Sequence, residues 1–178
     1  MFAIVLAALD RSGSVLPILC AMAVHELAHI VMMLACGGQV RRLTLRFADL
    51  QIAASGLGYR QELLSALGGP LVNLICGAAF CMQRTSFAAY SLMLGIYNLL
   101  PVWPLDGGRV LRCALLARLP ITQAEHISEI VSFAACAVLL LIGVFLTFFR
   151  KSGLWPLGTA AYLTVRLLML ARRTDAVQ

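Results

Sequence analysis

Two histidines four residues apart lie in the middle of an apolar run in this 178-residue chain. The run extends from Val15 to Cys36 and contains His25-Glu26-Leu27-Ala28-His29. A stretch of this length and composition is what a helix needs to cross a bilayer. A charged side chain at the bilayer centre costs about 2.5–3.5 kcal/mol on insertion scales, so ionisable residues in a span indicate a functional site.

The spacing of the two histidines predicts a metal site. Residues four apart lie on the same face of a helix, so both imidazoles can reach one ion. Histidine nitrogen is a common zinc ligand, and we predict that His25 and His29 bind one Zn²⁺. Glu26 would then lie beside the open position of the metal, where it can accept a proton from water. A chance match in a soluble helix is disfavoured by the apolar flanks.

The composition indicates a membrane protein. The chain is 61% hydrophobic and only 12% charged, whereas globular domains are about 45–50% apolar and about 25% charged. The net charge of +6 comes from basic residues scattered between apolar runs. No basic stripe is present in the sequence, so we expect a lipid bilayer as partner and no nucleic acid.

The apolar segments predict an all-α polytopic protein with about six transmembrane helices. The candidate spans are Met1–Leu9, Val15–Cys36, Leu63–Met82, Phe87–Leu100, Ile130–Phe149 and Leu154–Ala171. The first and fourth are too short to cross a bilayer alone. With the amino terminus in the cytoplasm, nine basic residues fall on the cytoplasmic side and four on the other, which favours this orientation.

A β-hairpin is expected between the second and third candidate spans. Leu43-Thr44-Leu45-Arg46-Phe47 alternates in polarity, Ala48-Asp49 can turn, and Leu50-Gln51-Ile52-Ala53 follows. This pattern predicts a small hairpin on the membrane face. It is either a plain connector or an edge strand that binds an extended peptide, and both interpretations stay open.

A catalytic zinc usually has three protein ligands, so a third must lie elsewhere in the chain. His126 is one candidate, although a solvated or capping histidine fits its polar surroundings better. Other acidic candidates lie in loops or at the ends of spans, where a charge is easily solvated: Asp49, Glu62, Glu125 and Glu129.

Asp106 is the preferred third ligand. It lies in Pro101-Val102-Trp103-Pro104-Leu105-Asp106-Gly107-Gly108, a segment within an apolar region that we expect to be irregular because of its prolines. The two glycines let the backbone turn tightly and approach a neighbour closely. The alternative is an ordinary Asp-Gly turn.

These motifs together resemble the site-2 protease family, the intramembrane zinc metalloproteases of peptidase family M50. Three segments carry the resemblance: His25-Glu26-Leu27-Ala28-His29, Gly68-Gly69-Pro70-Leu71-Val72-Asn73, and the segment from Asn98 to Gly108. Their order and separation are similar to those of the family. The chain is most similar to the compact branch typified by the stage IV sporulation protease.

The resemblance implies roles for individual residues. His25, His29 and Asp106 would bind one zinc ion, and Glu26 would be the catalytic base and proton shuttle. Asn98 and Asn73, which lie near the site in the family, would contact the substrate or the oxyanion. For both asparagines the alternative is a hydrogen bond between helices.

The resemblance also implies a function, a location and partners. The chain would hydrolyse a peptide bond in a membrane-embedded or membrane-associated protein, in regulated intramembrane proteolysis. We expect a multi-pass protein of the bacterial cytoplasmic membrane with its active site toward the cytoplasm. Its partners would be a membrane-tethered protein substrate and a regulatory membrane protein.

One departure from the family and two alternative functions accompany these expectations. Residues 1–178 would form a single protease domain without the CBS or PDZ domain of some relatives. A membrane zinc carrier could use the same ligands, but would not need Glu26 beside a histidine. A non-catalytic peptide-binding protein would not need the complete set of Glu26 and three ligands.

Overall fold

A computed structural model describes residues 13, 15–46, 49–55, 57–83, 85–149 and 154–175. Its helices are α1 (Val15–Ala35), α2 (Tyr59–Phe80), α3 (Ser86–Asn98), α4 (Asp106–Leu116), α5 (Ile121–Phe148) and α6 (Trp155–Asp175), and a short 3₁₀ helix (Cys81–Gln83) follows α2. The predominantly helical class is confirmed. The predicted short span Met1–Leu9 lies outside the described residues.

Three helices in the described part of the chain are long and apolar enough to cross a membrane. They comprise Val15–Ala35, Tyr59–Gln83 and Ile121–Phe148. The predicted span Leu154–Ala171 coincides with α6, which is not one of the three; Arg166 lies midway along it and lowers its mean hydropathy. Helix α3 has 13 residues and is about 20 Å long, which is shorter than the hydrocarbon core of a bilayer.

The described residues fall into two compact units, divided between Leu99 and Leu100. In the first unit, α1, α2 and α3 pack against one another. Glycines let the helices approach: a Cβ on Gly68 would overlap Met32 of α1, and one on Gly77 would overlap Leu92 of α3. Small residues at such crossings are the usual way for membrane helices to pack closely.

Two antiparallel strands lie between α1 and α2 in the first unit. Strand β1 (Gln39–Arg46) pairs with β2 (Asp49–Ser55), from Gln39 opposite Ser55 to Arg46 opposite Asp49, with an irregularity between Val40 and Arg42. The predicted turn at Ala48 is outside the described residues. The location of these strands on a membrane face stays a prediction.

In the second unit, α5 packs against both α4 and α6. The Arg112 guanidinium of α4 donates to the Glu125 carboxylate of α5 at 2.8 Å. Helices α5 and α6 approach closely at Gly143, where a Cβ would lie 3.1 Å from Leu157 Cα. Helix α5 begins at Ile121, nine residues before the predicted span, because the polar stretch from Thr122 to His126 continues the helix.

The prediction that Pro101–Gly108 is irregular throughout was wrong for its last three residues. Helix α4 begins at Asp106 and includes Gly107 and Gly108. Glycine is a poor helix former, but a Cβ at Gly108 would lie 2.6 Å from the backbone of Val102 and Trp103. The preceding loop packs so closely on the first turn of α4 that only glycine fits at position 108, despite its low helix propensity.

Helix α1 ends in a Schellman motif. Gly38 N–H donates to Met33 O at 3.0 Å, and Gly37 N–H donates to Leu34 O at 2.9 Å. Gly37 has a φ of +82°, a left-handed conformation that side chains with a Cβ disfavour. Gly37 therefore determines where α1 ends and the strand segment begins.

We expect Gly37→Ala to lower the free energy of unfolding by about 1–2 kcal/mol, because of its left-handed backbone alone. Gly158→Ala in α6 is the matched control, since a Cβ at either glycine meets nothing within 4 Å and only Gly37 of the two has a positive φ. The measurement is SDS-induced unfolding in mixed micelles, followed by circular dichroism. Equal stability of the two variants would contradict this explanation.

Candidate metal centre

Helix α1 presents two buried imidazoles on one face. His25 and His29 are 5% and 7% exposed, and their rings meet edge to face with centroids 4.7 Å apart. The Nε2 atoms of the two rings are 3.1 Å apart. The i, i+4 spacing therefore produces the pair of converging nitrogens that the sequence predicts.

One face of α2 contacts both imidazoles. Ser65, Gly69 and Asn73 are spaced four residues apart on this helix, so they form one stripe, which we call the Ser65/Gly69/Asn73 face. The His29 Nδ1 atom lies 2.8 Å from Ser65 O, and the Asn73 Nδ2 atom lies 3.2 Å from His25 Nδ1. Because the higher residue number on α2 meets the lower one on α1, the two helices run antiparallel here.

The contact with Ser65 fixes the tautomer of His29. A backbone carbonyl can only accept a hydrogen bond, so His29 Nδ1 must carry the hydrogen and donate it. The Nε2 atom of His29 then presents its lone pair toward His25. A carbonyl on the far nitrogen is the usual arrangement for a histidine that binds a metal through Nε2.

Gly69 lies directly against the two Nε2 atoms. A Cβ at this position would overlap His29 Nε2 and would lie 2.8 Å from His25 Nε2. Every other amino acid would therefore push against both imidazoles. Glycine at 69 is required by the space that the converging nitrogens occupy.

The histidine pair fits zinc in geometry and in donor chemistry. Two nitrogens, each about 2.0–2.1 Å from a tetrahedral zinc, are about 3.4 Å from each other. The observed 3.1 Å separation of the Nε2 atoms is close to this value. Neutral imidazole is also a preferred ligand of zinc.

Glu26 follows His25 on α1 and is half-buried. Its carboxylate is thus attached to the same rigid helix turn as the first predicted ligand. A fixed position on a helix beside the imidazoles is what a catalytic base requires. The assignment of Glu26 as the base stays a prediction.

In the second unit, Asp106 is the first residue of α4 and is buried. The amino terminus of a helix favours a negative charge, because unpaired N–H groups and the helix dipole face it. Arg109 Nη1 lies 3.9 Å from Asp106 Oδ1, which is long for an ion pair. The helix terminus therefore favours an ionised Asp106 carboxylate.

The loop before Asp106 is fixed by a serine of α5. Trp103 N–H donates to Ser132 Oγ at 3.1 Å, and the same hydroxyl donates to Ser128 O at 2.8 Å. Val102 of this loop is fully buried, and Leu105 N–H donates to Val102 O at 2.7 Å. These contacts give Asp106 a defined position within its unit.

Two further sequence candidates, Asn98 and His126, have different environments. Asn98 ends α3, is half-buried, and donates from Nδ2 to Leu94 O at 3.0 Å. His126 is exposed on α5, as the interpretation of a solvated histidine predicts. Asn98 retains one amide hydrogen and its oxygen for another partner.

Sequence reasoning missed the contributions of Ser65 and Ser132. Ser65 contacts His29 through its backbone carbonyl, which every residue has, so the identity of its side chain gave no signal. Ser132, which binds the loop before Asp106, lies 26 residues after Asp106 in the chain. The spacing of Ser65, Gly69 and Asn73 was visible in the sequence. Both sets of residues repeat every four positions, and this shared spacing is the signal that could have revealed the contact between α1 and α2.

Comparisons with known proteins agree with this arrangement. The sequence model of peptidase family M50 matches residues 80–142. A zinc metalloprotease of Methanocaldococcus jannaschii is 26% identical over 133 residues, which cover 67% of this chain and 39% of that protein. Stage IV sporulation protein FB of Bacillus subtilis is 28% identical over 138 residues, which cover 70% of this chain and 47% of that protein.

The fold is similar to that of a solved structure. The site-2 protease from Methanocaldococcus jannaschii superposes with a TM-score of 0.67 and 20% sequence identity, over 94% of this chain and 83% of that one. The chain spans less than half the length of the two curated relatives. The family match, the relatives and the shared fold together show that the chain is similar to peptidase family M50.

Proposed function

We propose that the chain is an intramembrane zinc metalloendopeptidase that cleaves a membrane-embedded or membrane-associated protein. The observation that carries this proposal is the pair of buried imidazoles with converging Nε2 atoms, held by α2 in the middle of a helix that can span a membrane. The relatives named as zinc metalloproteases support the same conclusion.

The proposed ligands of a single zinc ion are His25, His29 and Asp106. His25 and His29 are buried in the first unit, and Asp106 is buried in the second. Two imidazoles and one carboxylate match the ligand sets of known catalytic zinc sites, which keep the fourth position for water or substrate. The donor chemistry therefore supports the site that the sequence predicts.

In this proposal, different residues of the chain have different roles in peptide hydrolysis. A bound zinc ion supplies Lewis-acid chemistry, which activates water and polarises the scissile carbonyl. Glu26 accepts a proton from the attacking water and delivers it to the leaving amine nitrogen, while the hydroxyl adds to the carbonyl carbon. The second amide hydrogen of Asn98 donates to the oxygen on which negative charge develops.

The depth of the site in its helix supports a membrane protein as substrate. His25 is near the middle of α1, which comprises 21 residues from Val15 to Ala35. A site at this depth can reach a segment within the bilayer, provided that the segment unwinds and water enters. We further propose a multi-pass protein of a bacterial cytoplasmic membrane with the site toward the cytoplasm, a single protease domain and control by a regulatory membrane protein.

We expect the purified protein to contain one zinc ion per chain. His25→Ala and His29→Ala should each abolish stoichiometric zinc, and Asp106→Ala should weaken its binding, because each removes a ligand. The exposed His126→Ala is the control and should retain the full zinc content. Elemental analysis of detergent-purified protein measures the result, and full zinc in the His25→Ala protein would refute the ligand assignment.

Glu26→Gln should lower proteolysis by at least about 10²-fold, which is the usual contribution of a general base, while zinc content stays unchanged. Glu129→Gln, on an exposed glutamate of α5, is the matched control and should remain active. The assay co-expresses epitope-tagged single-span membrane proteins with each variant and follows their cleavage by immunoblotting.

Cleavage, zinc uptake and substrate capture by the wild type and Glu26→Gln separate the three candidate functions. Zinc-dependent cleavage that is lost in Glu26→Gln supports the protease. Zinc uptake into proteoliposomes that persists in Glu26→Gln, without cleavage, supports a zinc carrier. Stable capture of an uncleaved single-span protein by both the wild type and Glu26→Gln supports a non-catalytic binding protein.

Gly69→Ala should lower zinc affinity, because its methyl group displaces both Nε2 atoms. Gly77→Ala is the matched control: its methyl group also crowds a helix contact, against Leu92, but no histidine is among its nearest neighbours. Both variants should lose stability, and only Gly69→Ala should lose zinc affinity. Competition with a colorimetric zinc chelator measures this difference, and equal affinities would count against the Gly69 assignment.

A further inference from the structure

Asn73 is fully buried, and its amide faces a ring nitrogen of His25. It is 0% exposed, and its Nδ2 atom lies 3.2 Å from His25 Nδ1. The converging Nε2 atoms lie on the opposite side of the imidazole ring. A role in contacting substrate or oxyanion, which the family resemblance suggested, therefore has no support in this position.

The hydrogen bonds of the histidine pair account for the amide orientation. His29 Nε2 presents a lone pair, since its Nδ1 hydrogen is donated to Ser65 O. His25 can then donate from Nε2 to His29 Nε2 across 3.1 Å. His25 Nδ1 is left as an acceptor, and the Asn73 NH₂ group donates to it.

A metal ion would reverse this pattern at His25. When Nε2 of a neutral imidazole binds a cation, the hydrogen must be on Nδ1, which becomes a donor and needs an acceptor. An asparagine amide presents its oxygen in place of its NH₂ group after a half-turn about the Cβ–Cγ bond. The same side chain can thus hold His25 in either state.

The half-turn breaks no other hydrogen bond of the amide oxygen. Asn73 Oδ1 is buried and has no hydrogen-bond partner in the described structure. A buried carbonyl oxygen without a partner normally costs about 1–3 kcal/mol. Turning this oxygen toward a hydrogen on His25 Nδ1 relieves that cost.

We infer that Asn73 is a positioning residue that accepts a hydrogen bond from His25 Nδ1–H in the metal-bound protein and so directs His25 Nε2 at the metal. The inference rests on the proposed function. It assigns Asn73 a role through His25, whereas Asn98 retains the proposed role at the oxyanion. Loss of such a partner usually lowers metal affinity about 10–100-fold.

The test measures the zinc dissociation constant by competition with a colorimetric chelator, in detergent at neutral pH. We expect Asn73→Leu, which has a similar size and no acceptor, to bind zinc about 10–100-fold more weakly. Asn73→Asp supplies an acceptor and should bind zinc at least as tightly as the wild type. Ser91→Ala is the control, because Ser91 Oγ is also buried without a partner in the same described unit and should not affect zinc affinity.

The outcomes separate this inference from the proposed function. Wild-type affinity in a folded Asn73→Leu protein, or a tenfold loss in Ser91→Ala, overturns the inference while the zinc site stands. If Asn73→Leu does not fold, Asn73→Asp decides: retained affinity supports the inference and a tenfold loss overturns it. A wild-type protein that binds no zinc refutes the proposed function itself.

Discussion

The close contact between α1 and α2 at Gly69 is the constraint on which the candidate site depends. The backbone of α2 reaches the two Nε2 atoms because residue 69 has no side chain. This approach also places Ser65 O and the Asn73 amide at the far nitrogens of His29 and His25. One helix contact therefore determines the direction of both imidazoles and the tautomer of His29.

The geometry of two antiparallel helices explains why only a few residues are needed to position the two imidazoles. Side chains four apart repeat along one face of each helix, so the His25/His29 pair on α1 meets the Ser65/Gly69/Asn73 face of α2 in register. A hydrogen bond between membrane helices contributes only about 0.6–2 kcal/mol. Close packing at Gly68, Gly69 and Gly77 must therefore supply much of the stability, while the hydrogen bonds provide orientation.

Asp106 is positioned by different means. Its position at the amino terminus of α4 favours an ionised carboxylate, and the preceding loop is fixed by Ser132 of α5 and by the contact of Gly108 with that loop. The prolines predicted an irregular segment, but packing turned its last residues into the first turn of a helix. Local propensity was overridden by a tertiary contact that no single-sequence pattern reveals.

The sequence by itself determined the apolar helices and the histidine pair on one helical face, because each follows from periodicity or residue chemistry within a short segment. The tertiary structure alone decided that Ser65 O fixes the tautomer of His29 and that the Asn73 amide faces His25. The first contact joins residues that are 36 positions apart in the chain, and the second joins residues that are 48 positions apart. They depend on how closely two helices approach, which is a property of their packing rather than of either sequence segment.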